Sequence, residues 1–234
     1  MTDPRSNCLL ALLCAMIAVA ACGNDGGPPS SFSTELRVVQ GVRSTPAVDV
    51  LVDGSVVLRN LAFGQVSGFV PVPSGTHVVL VRPAGTTGNT GQKTVSWAAN
   101  IDYTIVAIDS SSIINPIVLT DTGAVPAPGM TKLRVVHFAT NAPPIDVWRT
   151  QPDYQTLITI MFPFDYRAAS PYLQSTPGVW SVVVSSQTLP VPPNAPPDTL
   201  LATGPISIPA NGVRTIVLLD KGGGGLQARI LEDR

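Results

Sequence analysis

Histidine, cysteine and charge are all scarce in this sequence. It has two histidines, three cysteines and only 12% charged residues in 234 positions, about half the charged share of an ordinary domain. His77 and His137 alone leave little material for imidazole catalysis or a histidine-rich metal centre. Cys8 and Cys14 fall within an apolar N-terminal run, so its removal leaves Cys22 without a disulfide partner. A formal net charge of −1 provides no electrostatic footprint for nucleic acid. There is no GxSxG, HExxH, paired CxxC or phosphate-loop pattern, so hydrolase, zinc and nucleotide chemistry lack positive support. The expectation is a protein that is not an enzyme, with no catalytic residue, no metal and no cofactor.

Glycine, proline and β-branched residues are plentiful. The 20 glycines and 23 prolines suit many short strands joined by tight turns better than they suit helices. Valine, isoleucine and leucine fall in alternating or short continuous runs bounded by Gly, Pro, Asn and Asp, which is the strand pattern. No stretch repeats apolar residues at a convincing helical period.

The N-terminus reads as an export signal. "MTDPRSNCLLALLCAMIAVAAC" starts polar, carries Arg5, runs apolar from Cys8 to Val19 and ends in small residues. The run is short for a transmembrane helix. Its end, Val19-Ala20-Ala21-Cys22, resembles the lipobox of bacterial lipoproteins. That resemblance implies cleavage between Ala21 and Cys22, lipid attachment to the Cys22 thiol and acylation of its amine, and several acyl chains together anchor stably. Residues 1–21 are therefore expected to be a signal peptide and 22–34 a flexible Gly/Pro/Ser tether. The implied location is a bacterial cell envelope, with the chain held to a membrane through Cys22.

The rest of the chain repeats itself. "LRVVQGVRSTPAVDV" (36–50) returns as "LRVVHFATNAPPIDV" (133–147), retaining the LRVV start, the proline (Pro46, Pro143) and the aspartate three residues later (Asp49, Asp146). Further on, Ser67 answers Ser170, Phe69 answers Tyr172 and Gly75 answers Gly178. "VSWAANIDYTIVAID" answers "ISIPANGVRTIVLLD", and "PIVLTD" weakly answers the C-terminal "ARILED". Two modules are expected, 35–122 and 132–234, with a linker over 123–131. Each would hold seven or eight strands, which points to an all-β chain of two tandem immunoglobulin-like β-sandwiches. A barrel is the alternative. In the first module Asp53-Gly54 has the composition of a two-residue hairpin turn. Val79 and Val81, with Val182 and Val184, mark the core side of one strand in each module, and His77 and Trp180 lie on that side.

These motifs resemble the bacterial domain of unknown function 4397 family, whose members open on an LRVVH-like strand. Pro, xDVxVDG, an aromatic–Ser–aromatic segment and a PxGTH-like turn follow. The second copy departs from the pattern: "WRTQPDYQT" replaces the VDG hairpin, and "LPVPPNAPPD" (189–198) is inserted. The resemblance implies a secreted or surface-anchored tandem sandwich and brings no established activity.

Two groups of residues could carry chemistry. Asp49 and Asp146 could bind a cation or ligand in each module, or could accept backbone N–H bonds at a strand corner, the favoured reading. Trp148, Tyr154, Tyr166 and Tyr172, with Phe162 and Phe164 nearby, could form an aromatic patch in the second module. The functional expectation is a non-catalytic envelope protein that binds or scaffolds an unknown envelope protein or glycan. A carbohydrate- or peptidoglycan-binding module using those aromatics comes second, and a cell-wall enzyme a distant third. A scaffold should bury its aromatics, a glycan binder should expose coplanar rings, and an enzyme should pair a histidine with a carboxylate in a pocket.

Overall fold

The computed structural model describes residues 33–88, 90–121, 125–186 and 198–233. The expected signal peptide (1–21), the expected Ala21–Cys22 cleavage point and almost all of the expected tether lie outside the described residues, as does most of the proline-rich insertion. The described residues contain strands and turns and no helix.

Eight strands occupy the first half: β1 (Ser33–Gln40), β2 (Ala47–Val52), β3 (Ser55–Ala62), β4 (Val70–Pro73), β5 (Gly75–Pro83), β6 (Gly91–Trp97), β7 (Asp102–Ser110) and β8 (Ile113–Thr120). They form two sheets, in the orders β4-β1-β7-β8 and β3-β2-β5-β6. The second half continues with β9 (Thr131–His137), β10 (Ile145–Thr150), β11 (Ile158–Phe164), β12 (Leu173–Ser175) and β13 (Gly178–Ser186). It ends with β14 (Thr199–Ala202), β15 (Ile206–Ile208), β16 (Val213–Asp220) and β17 (Leu226–Asp233). Its sheets run β12-β9-β16-β17 and β11-β10-β13-β14, and β15 pairs with β13. The strand order of the first half is thus repeated, down to the parallel pairs β1–β7 and β9–β16.

Each half is a β-sandwich with its own core. Leu36, Val38, Val50, Val79, Val81 and Ile105 pack between the two sheets of the first half. Leu133, Val135, Val147, Val182, Val184 and Ile216 do so in the second. Strand pleating sends alternate side chains to opposite faces, so Val79 and Val81 point inward while Val78 is exposed. Asp53 and Gly54 both take positive φ, 48° and 79°, and turn β2 into β3.

The LRVV strands are buried on both faces, and this determines the tertiary arrangement. Leu36 and Val38 face the first core, whereas Val39 belongs to a third cluster with Val106, Ile108, Val136, Phe138, Val217 and Leu219. That cluster draws on β1 and β7 from one half and β9 and β16 from the other. The sheets containing β1 and β9 therefore pack face to face, and the sheets containing β2 and β10 lie outermost. Near-continuous Val/Ile/Leu runs are what such doubly covered strands require. The halves approach closely: a Cβ on Gly41 would lie 2.8 Å from the Ala107 carbonyl oxygen and 2.8 Å from Leu219 Cδ2. All the described strands belong to one compact unit.

Candidate functional site

The polar residues shared by the two halves meet at the seam. Arg37 on β1 donates from Nε to Thr104 Oγ1 at 3.0 Å and from Nη1 to the Glu232 carbonyl at 2.8 Å. Its Nη2 reaches both Asp121 Oδ2 (3.0 Å) and Asp233 Oδ1 (2.8 Å). Arg134 on β9 repeats the scheme: Nε to Thr215 Oγ1 at 3.0 Å, Nη1 to the Thr120 carbonyl at 2.9 Å and Nη2 to Asp121 Oδ1 at 3.0 Å. Thr104 donates to Asp121, and Thr215 to Asp233. Each guanidinium also lies over a ring, Arg37 over Phe69 and Arg134 over Tyr172. The pairs Arg37/Arg134, Thr104/Thr215, Asp121/Asp233 and Phe69/Tyr172 occupy matched positions of the repeat, so the seam has approximate twofold symmetry.

All four charged side chains at this seam are buried. Burial, with Asp233 close by, pushes the Asp121 carboxyl above its ordinary range, against the opposing pull of Thr104, Arg37 and Arg134. Burial and the same Asp233 hold the Tyr172 hydroxyl well above the usual phenol range, and that hydroxyl donates to Asp233 at 2.8 Å. Two guanidinium groups against two carboxylates leave the cluster neutral. Every nitrogen of both guanidinium groups donates to at least one acceptor, and the arrangement joins the two sandwiches.

A cavity of about 370 Å³ opens beside this network, lined by Arg37, Ser67, Phe69, Arg214, Ile230 and Glu232 among others. Arg214 pairs with Glu232 at 2.7 Å near the surface. Ser67 is occupied as well, since its Oγ accepts from the Val38 N–H and donates to the Gly68 carbonyl. Ser170 does the same for Val135 and Pro171 in the second half.

The two candidate aspartates are treated differently. Asp49 accepts from the Asn60 N–H at 2.9 Å and the Gly85 N–H at 3.3 Å, so it ties β3 and the turn after β5 to β2. Asp146 is fully buried, and neither of its oxygens has a hydrogen-bond partner in the protein. Burial raises its pKa.

The four aromatics do not form one patch. Tyr166 and Tyr172 are drawn into the seam: Tyr166 donates to Asp109 of the first half at 2.5 Å, and its hydroxyl pKa is pushed up to about 12 by burial and that bond. A patch containing them is therefore corrected: Tyr166 bonds across to the first sandwich, and Tyr172 is held by Arg134, Thr215 and Asp233 of its own half. Trp148 is half-buried with Nε1 on Ser185 Oγ at 3.0 Å, and Tyr154 is exposed in the turn after β10 at φ 58°. Phe164 is core.

Neither histidine has the surroundings of a catalytic base. His137 is fully buried against Phe164 and Tyr166, and desolvation lowers its pKa to about 4. His77 does reach a carboxylate, with Nδ1 2.6 Å from Asp53 Oδ2, but Asp53 lies on the exposed hairpin turn. The ring stacks on Trp97, and its Nε2 faces Gly75, which has no nucleophile to offer. Among the described residues no three His, Cys, Asp or Glu side chains are grouped to hold a metal ion.

The arginine network was missed in the sequence, although its signal was present. Arg37 and Arg134 are charged residues retained between apolar neighbours in both copies, the same criterion that singled out Asp49 and Asp146.

These features define a two-sandwich all-β protein whose halves are joined through a buried ionic seam. Residues 34–148 carry a domain of the family described as "Domain of unknown function (DUF4397)". The matched stretch covers the whole first sandwich and ends inside β10, past the seam strand β9. No curated protein matches the chain in sequence. Among solved structures, a streptococcal virulence factor described as binding alpha-glucan shares 10% identity at a TM-score of 0.25, covering 86% of this chain and 97% of its own. A family 26 carbohydrate-binding module from Eubacterium rectale, solved with maltoheptaose, shows the same identity, coverage and score. A leucine-rich repeat protein from Bacteroides thetaiotaomicron shares 9% identity at a TM-score of 0.20, covering 79% of this chain and 25% of its own. Superpositions this loose carry no functional implication.

Proposed function

We propose that this is a non-catalytic, lipid-anchored protein of the bacterial cell envelope that presents two sandwiches as one rigid body for binding or scaffolding. In this reading the leader is removed before Cys22, the thiol carries the lipid and the tether lifts the body off the membrane. The second sandwich is a diverged copy of the first. The observation that carries the binding reading is the seam. The polar residues common to both halves, Arg37, Arg134, Asp121, Asp233, Thr104 and Thr215, are engaged in fixing the sandwiches to each other. That engagement supports rigid presentation of the outer sheets over turnover of a substrate.

Membrane fractionation of cells expressing the full chain tests the anchor. Wild type should partition with membranes and Cys22→Ala with the soluble fraction; a variant that still pellets with membranes refutes the lipid anchor. A saccharide partner is the second reading, favoured because Trp148 and Tyr154 remain outside both the cores and the seam.

A further inference from the structure

The duplication separates what the seam needs from what is peculiar to the cavity beside it. Arg37, Ser67 and Asp233 line that cavity and have counterparts in Arg134, Ser170 and Asp121, so they belong to the common frame. Four other lining residues depart from the repeat. Gly212 stands where the first copy has Ile101, Arg214 where it has Tyr103 and Glu232 where it has Thr120, while Phe69 matches Tyr172 of the second copy. Glycine for isoleucine and phenylalanine for tyrosine remove side-chain atoms, and the other two exchanges bring in a charge pair. The cavity, about 370 Å³, lies at the small end of the ~300–1,000 Å³ range of ligand pockets. Solvent reaches its lining: the Glu232 side chain is 78% exposed, and Ile230 on the same strand is 43% exposed.

The hydrogen bonds show what this wall has left to offer. A guanidinium carries five N–H groups. Arg37, itself buried, spends four of them inside the seam and keeps one on Nη1. Arg214 spends two, from Nη1 to the Val213 carbonyl at 3.0 Å and from Nη2 to Glu232 Oε1 at 2.7 Å. Its Nε–H and one N–H on each Nη remain. Among the acceptors, Asp233 is engaged on both oxygens by Arg37, Thr215 and Tyr172. Glu232 Oε2 accepts from none of the described residues. Val66, Phe69 and Ile230 supply hydrocarbon, and the charged lining residues, Arg37 and Arg214 against Asp233 and Glu232, sum to zero.

The complement of such a wall brings an acceptor for spare guanidinium N–H groups, a donor for Glu232, an apolar body and no net charge. From this we propose that the cavity binds a free amino acid with an aliphatic side chain, its carboxylate held by Arg214 and Arg37 and its ammonium by Glu232. The inference rests on the binding reading above and gives one site a ligand class. Guanidinium–carboxylate bonds are about twice as strong as neutral ones, and Arg37 can make one without giving up any bond of the seam. A phosphate or a simple carboxylate would add negative charge to a neutral wall and set it beside Glu232, a like-charge contact that selects against it. A neutral sugar would leave the charge pair without ionic partners.

NMR titration of the 15N-labelled mature chain (residues 22–234, with Cys22→Ala) with L-leucine tests the site. Saturable shifts are expected at the amides of Ser67, Gly68, Gly212 and Ile230. Leucinamide, which lacks the carboxylate, and N-acetyl-leucine, which lacks the ammonium, should each bind about tenfold more weakly or worse, the effect of losing one good contact. Arg214→Gln should weaken leucine to a similar degree, with part of the loss recovered in Arg214→Lys. Glu232→Gln should weaken leucine while leaving the affinity for N-acetyl-leucine unchanged. Arg59→Gln, on β3, should change nothing. The Arg214–Glu232 pair lies near the surface, where such pairs contribute about 0–1 kcal/mol, so well-dispersed spectra of these variants separate lost binding from lost folding. If leucine moves none of the four amides, the site is refuted. If leucinamide and N-acetyl-leucine bind as well as leucine, or if Arg214→Gln binds like wild type, the amino-acid assignment is refuted. Neither result bears on the outer sheets or on the anchor, which the Cys22→Ala fractionation decides separately.

Discussion

Replacing Arg37 with methionine probes the seam most directly. Methionine keeps the length and the apolar stem but removes every donor. The change strips Asp233 Oδ1 and Asp121 Oδ2 of their shared guanidinium and leaves the Glu232 carbonyl unpaired. Asp121 keeps Arg134 and Thr104, whereas Asp233 keeps only the hydroxyls of Thr215 and Tyr172. Both carboxylates are fully buried, so solvent cannot replace the lost charge. Breaking a buried pair from one side costs about 3–5 kcal/mol, a large part of the ~5–15 kcal/mol that holds a typical protein folded. At ~2–4 °C per kcal/mol for a unit of this size, the melting point should fall by roughly 6–20 °C. Urea denaturation of the mature chain gives the free energy, and calorimetry shows whether the halves still melt together. Adding Asp233→Asn to Arg37→Met should recover part of the loss, because it removes the stranded charge. A loss below about 1 kcal/mol for Arg37→Met, the value of an exposed ion pair, would refute the argument that a buried network locks the sandwiches.

Three further outcomes follow from individual residues. His137 is held neutral, with its pKa lowered from 6.5 to about 4. Below pH 6.5 the unfolded chain therefore binds more protons than the folded one, and stability falls as pH drops toward 4. At ~1.36 kcal/mol per pH unit this is bounded at roughly 3 kcal/mol. His137→Gln, which installs the residue of the first copy (Gln40), should flatten that part of the stability-versus-pH curve relative to wild type; parallel curves would count against it. Asp49→Ala should cost about 1–3 kcal/mol in chemical denaturation because two N–H groups lose their acceptor, whereas Asp146→Asn should be neutral or stabilising; costs of similar size would contradict the contrast between the halves. Gly91→Ala should destabilise by about 1–3 kcal/mol, since its Cβ would lie 2.7 Å from the Val81 carbonyl oxygen and 2.9 Å from Ile114 Cβ and carbonyl oxygen; a melting point equal to wild type would rule out that tight approach.

Much of the local structure was legible because strand physics is local. Alternation identified Val79, Val81, Val182 and Val184 as core, and Asp53-Gly54 marked the hairpin where two successive residues take positive φ. The outward row of the second half was harder to read. Ser181 and Val183 lie opposite the core side, yet both are buried, because what covers an outer face is a property of distant chain and not of the strand itself. Tyr166 and Tyr172 were misplaced for a related reason. An aromatic in a turn next to a strand has the same sequence context whether it meets solvent or other parts of the fold; here Tyr166 meets Asp109 of the neighbouring sandwich, and Tyr172 meets the buried Asp233 and Arg134.

The sequence alone determined an all-β chain of short strands and the spacing at which its motifs recur, because alternation, turn residues and self-similarity are written along the chain. The tertiary structure decided what the repeated polar residues do. Arg37 and Asp233 are 196 positions apart and 2.8 Å apart in space, a proximity that no local pattern encodes. Stacking the two inner sheets buried the charges of both copies in one neutral cluster. Asp49 accepts from the Asn60 and Gly85 N–H groups, whereas neither oxygen of Asp146 has a partner among the described residues. One repeated aspartate thus pins its sandwich together, and the other is left with acceptors that no part of the protein satisfies.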